Sequence, residues 1–531
     1  MHRCLQVDDI IHELIRAFTL SRDLKSIAII ARTSTHFYEP AMNALWRRLG
    51  GLGPLLECMP ANLISETYML STWAVPFLEV QACLTREPTS AEWDQMFKHA
   101  HRVRELTLGM GIPPTKHRRA TTYSATIMAS IVKHIQKRAL DEKDTAVFPN
   151  LMLLRCKWHH GVQGTLACIP HLAGPSIKTV VVNGSTTLDP GEVEPPDAFL
   201  ATVLTSYPAI QELTVVADSG PAYDFQPYTR TLSDFVKQAS DFRVFQSNVP
   251  VTTGAISQLI AMPYISTLFV RLTDDLQPLH TRSFAGGLEM VDISARQLFT
   301  CANFISAIQS AHLKTINIQV SDTCELAAIT RCFKAMQAHT SVSRIRISSN
   351  HTYSPDRLVC VIPGTTLTLL YPLSGLQDLV LEEHIEVDLY DQDALALSKA
   401  WPCLNNLTFI AMQESIRSNI YAHLTVVGLL HLVRNCKHLR RPGIAFNASN
   451  IDANLLDEGI NSGPIGENLF MLEVHAPLSP VYHPQKVARF LYTVFPNLRI
   501  LSFGESDIAM YEGWSDVWSL FRTLLFRRAI L

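Results

Sequence analysis

Charge is what this sequence has least of. Only 18% of its 531 residues are Asp, Glu, Lys or Arg, and 45 basic side chains nearly cancel 48 acidic ones, leaving a net charge of −3. With a pI near 6.7, no global field draws the chain towards phosphate backbones or anionic lipid, so neither nucleic acid nor a membrane is an expected partner. The counterpart of that scarcity is a hydrophobic fraction of 47% and a mean hydropathy of +0.12. Disorder over most of the length is thereby excluded, because disordered chains are poor in apolar residues and rich in charge.

A membrane-spanning run is lacking too. The longest uncharged stretch, 244–270, has 27 residues, but Pro250, Gly254, Gln258 and Pro263 interrupt it, whereas a span needs about 20 mainly apolar residues. It reads as strand, turn, helix, turn, strand. Asp8, Asp9 and Glu13 fall where a signal peptide needs an unbroken apolar stretch. Eleven cysteines, an odd number with no C-x-x-C pair, fit reduced thiols better than a disulfide framework, and the expected location is cytoplasmic, nuclear or both. The phosphate-loop, dinucleotide, nucleophile-elbow and zincin spacings are also missing, so no catalytic residue, cofactor, metal or small-molecule substrate is expected. His159 and His160 with Cys156, Cys168 and His171 match no common zinc spacing, and Cys156 reads as a small buried hydrophobe. Cys324 and Cys332, two helical turns apart, read as helix-face residues. The basic run at 116–119 reads as a solvated loop.

What the sequence does have is a repeat. A segment of the form aromatic-or-Met, Pro, x, apolar recurs at 148–151, 207–210, 262–265, 401–404 and 495–498. Each copy continues as apolar-x-x-apolar-x-apolar, as in Leu404, Leu407 and Phe409. The same spacing without the proline recurs at Val103/Leu106/Leu108, Ile177/Val180/Val182, Leu288/Val291/Ile293, Leu313/Ile316/Ile318, Val342/Ile345/Ile347, Leu376/Leu379/Leu381 and Leu469/Leu472/Val474. Phe242/Phe245 and Leu439/Ile444 are degenerate copies. The period is about 30 residues, within the range of long leucine-rich repeats. Helical stretches lie between the copies, at 296–311, 322–339 and 484–495, and the prolines end them. A length that alone suggests three or four domains of about 150 residues therefore reads as an array, because one strand-plus-helix repeat cannot close its own core. The expected fold is α/β: a concave parallel sheet with helices on the convex side. It resembles the leucine-rich-repeat class, in irregular form.

The first fifty residues differ. Ile10, Ile11, Leu14, Ile15 and Phe18 recur at helical spacing with Asp8 or Asp9 as N-cap. A second helix follows Ser21 through Leu24, Ile27, Ala28, Ile30 and Ala31, and a third starts at Pro40 with Met42, Leu45 and Trp46 on one side. So short a segment cannot bury all this apolar surface alone. Leu5, the Ile10-Ile11-x-x-Leu14-Ile15 helix, Arg22-Asp23-Leu24, Ala31-Arg32-Thr33 before Phe37, and Leu45-Trp46-Arg47-Arg48-Leu49 together resemble an F-box, with Gln6 where that family usually has proline. The resemblance implies a substrate-recognition subunit of an SCF-type ubiquitin ligase. Leu5, Ile10, Ile11, Leu14, Ile15, Leu24, Ile27, Ile30, Phe37, Leu45 and Trp46 would meet the Skp-type adaptor, which joins a cullin scaffold. The alternative is a repeat scaffold whose N-terminal helices are only a cap. The implied organisation is an F-box-like domain at 1–50, a helical linker or cap at 51–98, repeats at 99–510 and a capping helix at 511–531. On the strand face, Arg344 and Arg346 beside Asp378 and Glu382, at the start of an acidic stretch running to Asp393, are the candidate contacts for a protein substrate.

Overall fold

A computed structural model of the chain describes residues 7–70, 78–108, 121–123, 125–141, 146–158, 172–174, 176–184, 196–207, 209–217, 226–274, 286–349, 359–411, 422–449, 451, 466–475, 478–503 and 512–530. Leu5, the basic run at 116–119, and His159, His160, Cys168 and His171 lie outside the described residues. Two compact units divide the chain, Met1–Val249 and Pro250–Leu531.

Strands of the first unit, in chain order, are β1 (Arg48–Leu49), β2 (Ile64–Leu70), β3 (Leu78–Leu84), β4 (Glu105–Leu108), β5 (Thr121–Tyr123), β6 (Leu153–Trp158), β7 (Thr179–Gly184), β8 (Glu212–Ala217) and β9 (Val244–Val251). Six of them run parallel in the order β1-β4-β6-β7-β8-β9. The second unit continues with β10 (Thr267–Leu272), β11 (Met290–Ala295), β12 (Thr315–Val320), β13 (Arg344–Ser349), β14 (Cys360–Pro363), β15 (Asp378–Glu383), β16 (Ile385–Asp388), β17 (Asn406–Ala411), β18 (Arg441–Ile444), β19 (Met471–Val474) and β20 (Ile500–Ser502). Nine of these are parallel neighbours, β10-β11-β12-β13-β15-β17-β18-β19-β20. Each unit is thus a leucine-rich-repeat-like α/β solenoid of strands and flanking helices.

The register explains why the spacing repeats. The middle apolar residue of each copy pairs with the middle residue of the next: Leu106 with Leu154, Leu154 with Val180, Val180 with Leu213 and Leu213 with Phe245 in the first unit. In the second, Leu268, Val291, Ile316, Ile345, Leu379 and Leu407 stand side by side in the same way. Along a strand, alternate side chains point to opposite faces, so one column fixes the whole inward set. These residues are all at most 1% exposed. The degenerate copy at Leu439/Ile444 keeps the register with Pro442 in the middle place, opposite Leu407.

All fourteen copies found in the sequence correspond to strands of this parallel array. A fifteenth strand, β1, departs from the expected all-helical domain at 1–50: Leu49 pairs with Leu106, so the first strand of the array lies inside that segment. The stretch 51–98, expected to be helical, holds short helices Gly53–Leu56 and Ser90–Phe97 but also β2 and β3, which pair antiparallel. The stretch 244–270 folds as expected: β9, the helix Thr253–Ala261, and the start of β10.

The aromatic-Pro segment does three jobs. Proline disfavours helix in the residue before it, and Met262, Trp401 and Phe495 are C-cap residues with ψ of 126°, 67° and 78°, ending the helices Thr253–Ala261, Asp391–Ala400 and Pro484–Val494. Their side chains turn into the core. Phe148, Tyr207, Met262, Trp401 and Phe495 are all buried, and Trp401 Nε1 donates to the Leu370 carbonyl at 3.1 Å. Just after the proline, Asn150 and Asn497 donate Nδ2 to the His101 and Glu467 carbonyls of the preceding coil at 2.8 and 2.6 Å, as Asn468 does to Lys437 at 2.7 Å. A short segment therefore stops a helix, plugs the core and ties adjacent coils together.

Helices flank the strands throughout. Leu298–Ala307 buries Leu298, Cys301, Ala302, Phe304 and Ile305 and packs against Leu326–Met336. The C-terminal helix Glu512–Ile530 packs on Pro484–Val494, with Trp514 Nε1 donating to Ser479 O at 2.7 Å. Among the described residues, no helix is long and apolar enough to cross a membrane.

Truncating the Trp401 plug to alanine should lower the unfolding free energy by about 3–5 kcal/mol, measured by urea denaturation, and Trp401→Phe should cost clearly less because it keeps one aromatic ring in the core and loses only the rest of the indole with its N–H bond. A second expectation concerns His475, which is 3% exposed. Its Nε2 has no hydrogen-bond partner among the described residues, and burial pushes its pKa down to about 4. As pH falls from about 6.5, the unfolded chain takes a proton that the folded one refuses, so stability is lost through that window, on the order of 3 kcal/mol by about pH 4. His475→Leu should flatten the fall in melting temperature between those two pH values.

Candidate protein-interaction surfaces

The N-terminal segment forms helices α1 (Asp8–Leu20), α2 (Leu24–Ala31) and α3 (Thr35–Trp46). Their connections account for the Arg-Asp-Leu signature. Arg22 adopts a left-handed φ of 57°, Asp23 N–H bonds Phe18 O at 2.9 Å, and Arg22 N–H bonds Thr19 O at 3.2 Å; this is a Schellman close with arginine in the place usually held by glycine. Asp23, not Ser21, then caps α2, accepting from Ser26 N–H at 3.1 Å and Ser26 Oγ at 2.6 Å. The Ser26 hydroxyl, with its amide, holds the Asp23 carboxyl below the usual range. Val7 is the N-cap residue of α1, and Asp8 and Asp9 sit in its first turn, where they favour the helix dipole. α3 begins five residues before Pro40, because Ser34 caps it by accepting from His36 N–H at 3.2 Å.

Burial separates the expected adaptor contacts into two groups. Ile11, Ile15, Ile27 and Phe37, with Ala31 and Ala41, are the small core of the three helices, and Leu14, Phe18, Ile30, Ala44 and Leu45 pack against it. These side chains hold the helices together and are not a free docking face. On the surface are Ile10 and Leu24, 42% and 51% exposed, together with Val7, Leu20, Ile29 and Tyr38, which periodicity did not single out. Their signal was available: a helix this short needs one apolar stripe, and apolar residues off that stripe are in excess.

Trp46 faces the solenoid. Its ring stacks on His99 at 4.7 Å, and burial lowers the His99 pKa. Beside it Arg102, with a side chain only 9% exposed, forks onto both Glu39 carboxylate oxygens at 2.7 and 3.0 Å and also donates to Asn43. The guanidinium holds the Glu39 carboxyl below its usual range. With β1 paired to β4, α3 is fixed to the first coil by a clamp, a stack and a strand.

The outward positions of the second unit carry the candidate substrate contacts. Arg344 stands opposite Asp378 in register. Its Nε is 3.1 Å from Asp378 Oδ2, and Arg346 is 2.7 Å from Glu382 Oε2. The four residues are brought together, and they satisfy one another. Burial nevertheless pushes the Asp378 carboxyl up, with Arg344 opposing it, so the ion pair does not fully offset desolvation. Neighbouring strands repeat the arrangement: Lys314 pairs with Glu289 at 3.0 Å, and Asn317 donates to Asp292 at 3.2 Å.

Asp388, Asp391 and Asp393 of the acidic stretch are also used internally. Asp391 accepts from Thr425 N–H and Gly428 N–H at 2.7 and 3.0 Å, capping the helix Val426–Asn435. A Cβ at Gly428 would collide with Asp391 and Leu424, so glycine is required there. Asp393 accepts from Tyr390 N–H at 3.0 Å, and Asp388 pairs with His423 at 2.7 Å. The sequence showed the charges but not that they are spoken for.

Cys156 is buried on the inward side of β6. Burial holds the Cys301 and Cys332 thiols strongly protonated. Among the described residues no disulfide forms, and no cluster of His, Cys, Asp or Glu is arranged to hold a metal.

No family model matches this sequence, and no curated protein matches it. Among solved structures, the leucine-rich repeat-containing protein LegL7 from Legionella pneumophila is similar over 62% of this chain and 97% of its own, at 11% identity and a TM-score of 0.26. The Rad7 and Elc1 complex in yeast is similar over 71% of this chain and 84% of the matched one, at 10% identity and a TM-score of 0.32.

With both arginines more than half exposed, the pairs should contribute little to stability. A double-mutant cycle on Arg346→Ala and Glu382→Ala, followed by urea denaturation, should give a coupling below about 1 kcal/mol.

Proposed function

We propose that the chain is a non-catalytic substrate-recognition subunit of an SCF-type ubiquitin ligase, acting in the cytoplasm, the nucleus or both. The observation that carries this reading is the excess of exposed apolar side chains on α1 and α2, Ile10, Leu24 and Ile29 among them, on helices whose core is already complete without them. Such residues lose surface only against another protein, and the F-box resemblance identifies that protein as the Skp-type adaptor, linked to a cullin. The solenoid would hold a protein substrate. No residue of this chain would do covalent chemistry. Catalysis would come from proximity, since a lysine held near a charged ubiquitin carrier meets it at raised effective concentration.

A second reading has its own support. Because α3 is clamped to the first coil through Arg102 and runs into β1, the helices also suit a cap on the first strand of a repeat scaffold that has no ligase.

Capture of adaptor and cullin by the full-length chain separates the two. Leu24→Asp with Ile29→Asp should reduce capture at least tenfold, the scale of losing interface anchors, while melting stays near wild type because both positions are exposed. Leu14 and Leu45 are unsuitable for this test, since both pack on the helical core. Failure of the intact chain to retain any adaptor would leave the scaffold reading.

A further inference from the structure

The outward face of the second unit changes character along its length. From β11 to β15 the charges are met: Lys314 by Glu289, Arg344 by Asp378 and Arg346 by Glu382. At β18, β19 and β20 the pairing stops. Arg440, Arg441 and Arg499 are all exposed, and none of them forms an ion pair with a described residue. Arg441 is near enough to Asp378 to be felt by that carboxyl, yet no contact joins them. Between the arginines, Phe470 and Ile500 are 44% and 40% exposed.

Backbone bonds fix how these residues lie. Phe470 N–H and Met471 N–H both donate to Arg440 O, at 3.1 and 3.0 Å, and Arg499 N–H and Ile500 N–H donate to Phe470 O, at 2.9 and 3.2 Å. Arg440, Phe470 and Arg499, each the residue just before β18, β19 or β20, therefore stand abreast at the entries to successive strands, each about 4.8 Å from the next. Beside them runs a second row, in which Met471 pairs with Ile500 and Arg441 lies two positions before Gly443, the partner of Glu473. Cations thus flank an apolar strip.

We propose that this patch docks an acidic peptide segment of a protein partner, with aspartate or glutamate side chains on the arginines and an apolar anchor between them. An unpaired exposed guanidinium gains a charge-assisted bond without giving up an existing one, whereas Arg344 and Arg346 would first have to release Asp378 and Glu382. Set at β18 and β20 with Phe470 between Arg440 and Arg499, the arginines match carboxylates distributed along a peptide better than one doubly charged phosphate. The inference deepens the proposed function by naming the substrate class, and it rests on that reading in taking the strand face as the place where the partner binds.

The test is selection of a random 12-residue displayed peptide library on the immobilised full-length chain, with a parallel phosphoserine-containing library. Enriched sequences should combine Asp or Glu with Leu, Phe or Trp. Their capture should fall at least tenfold in Arg440→Glu/Arg499→Glu, and markedly in the milder Arg440→Gln/Arg499→Gln and in Phe470→Ala, each checked for wild-type melting. Arg344→Gln/Arg346→Gln should bind as wild type does. The proposal is overturned if nothing is enriched, if the winners are neutral or basic, if phosphate is required, or if folded charge variants keep full capture. Adaptor capture is measured separately: its failure alongside successful selection would remove the ligase reading and leave the peptide surface standing.

Discussion

Everything in this molecule depends on the column of middle-position side chains shared between neighbouring strands. Burying one such aliphatic residue contributes about 1.5–3 kcal/mol, while ordering the backbone costs about 1–2 kcal/mol for every residue. A single coil of some thirty residues has far too few buried positions to fold alone. It becomes stable only when the coils before and after it cover both faces of its strand lead-in and one side of its helix. The register, from Leu49 with Leu106 to Leu213 with Phe245 in the first unit and from Leu268 with Val291 to Leu472 with Leu501 in the second, is the structural form of that dependence within each unit. A chain built this way has to be rich in apolar residues and poor in charge.

The same constraint explains how the N-terminal helices are attached. A first strand with nothing beside it would expose its buried edge, and α3 leads directly into β1 with Arg102, Glu39, Trp46 and His99 closing the joint. A small helical core of six buried side chains is marginal for an independent domain, so fixing it to the solenoid stabilises both. Under the proposed function, that joint would also hold the adaptor-facing helices in a set orientation to the first coil, which a proximity mechanism requires. Attachment and the proposed docking would use different residues: Trp46 and Glu39 contact the first coil, while Ile10 and Leu24 are exposed.

Exposed charge is managed in two ways. Over the middle strands, the basic residues are matched by acidic ones on a neighbouring coil, which avoids like-charge repulsion between positions about 4.8 Å apart. At the last three strands the matching lapses and apolar side chains come to the surface with the arginines. An unmatched mixture of this kind is costly to leave in water only in its apolar part, and it is favourable to cover in both parts.

The alternation of strand and helix, all fourteen repeat strands, the helix-ending prolines and the three N-terminal helices were legible in the sequence, because each follows from local spacing or from the backbone chemistry of proline and polar caps. Hidden from it were the strand β1, too short to show a period, and the antiparallel pair β2–β3, which stands outside the repeat spacing. The start of α3 also escaped, since a cap at Ser34 outweighed the preference of Pro40 for a first turn. Most consequential was the sorting of residues that look alike in one dimension. Ile11 and Ile10 are neighbours of equal hydropathy, yet one is core and the other surface; Arg344 and Arg441 occupy the same place in their repeats, yet one has its carboxylate and the other pairs with none among the described residues. Sequence by itself determined the repeat and its period, which depend on residues close along the chain. Only the tertiary structure decided which side chains are already satisfied, because cross-strand partners such as Glu289 for Lys314 and Glu382 for Arg346 lie 25 and 36 residues away and are brought near by stacking alone.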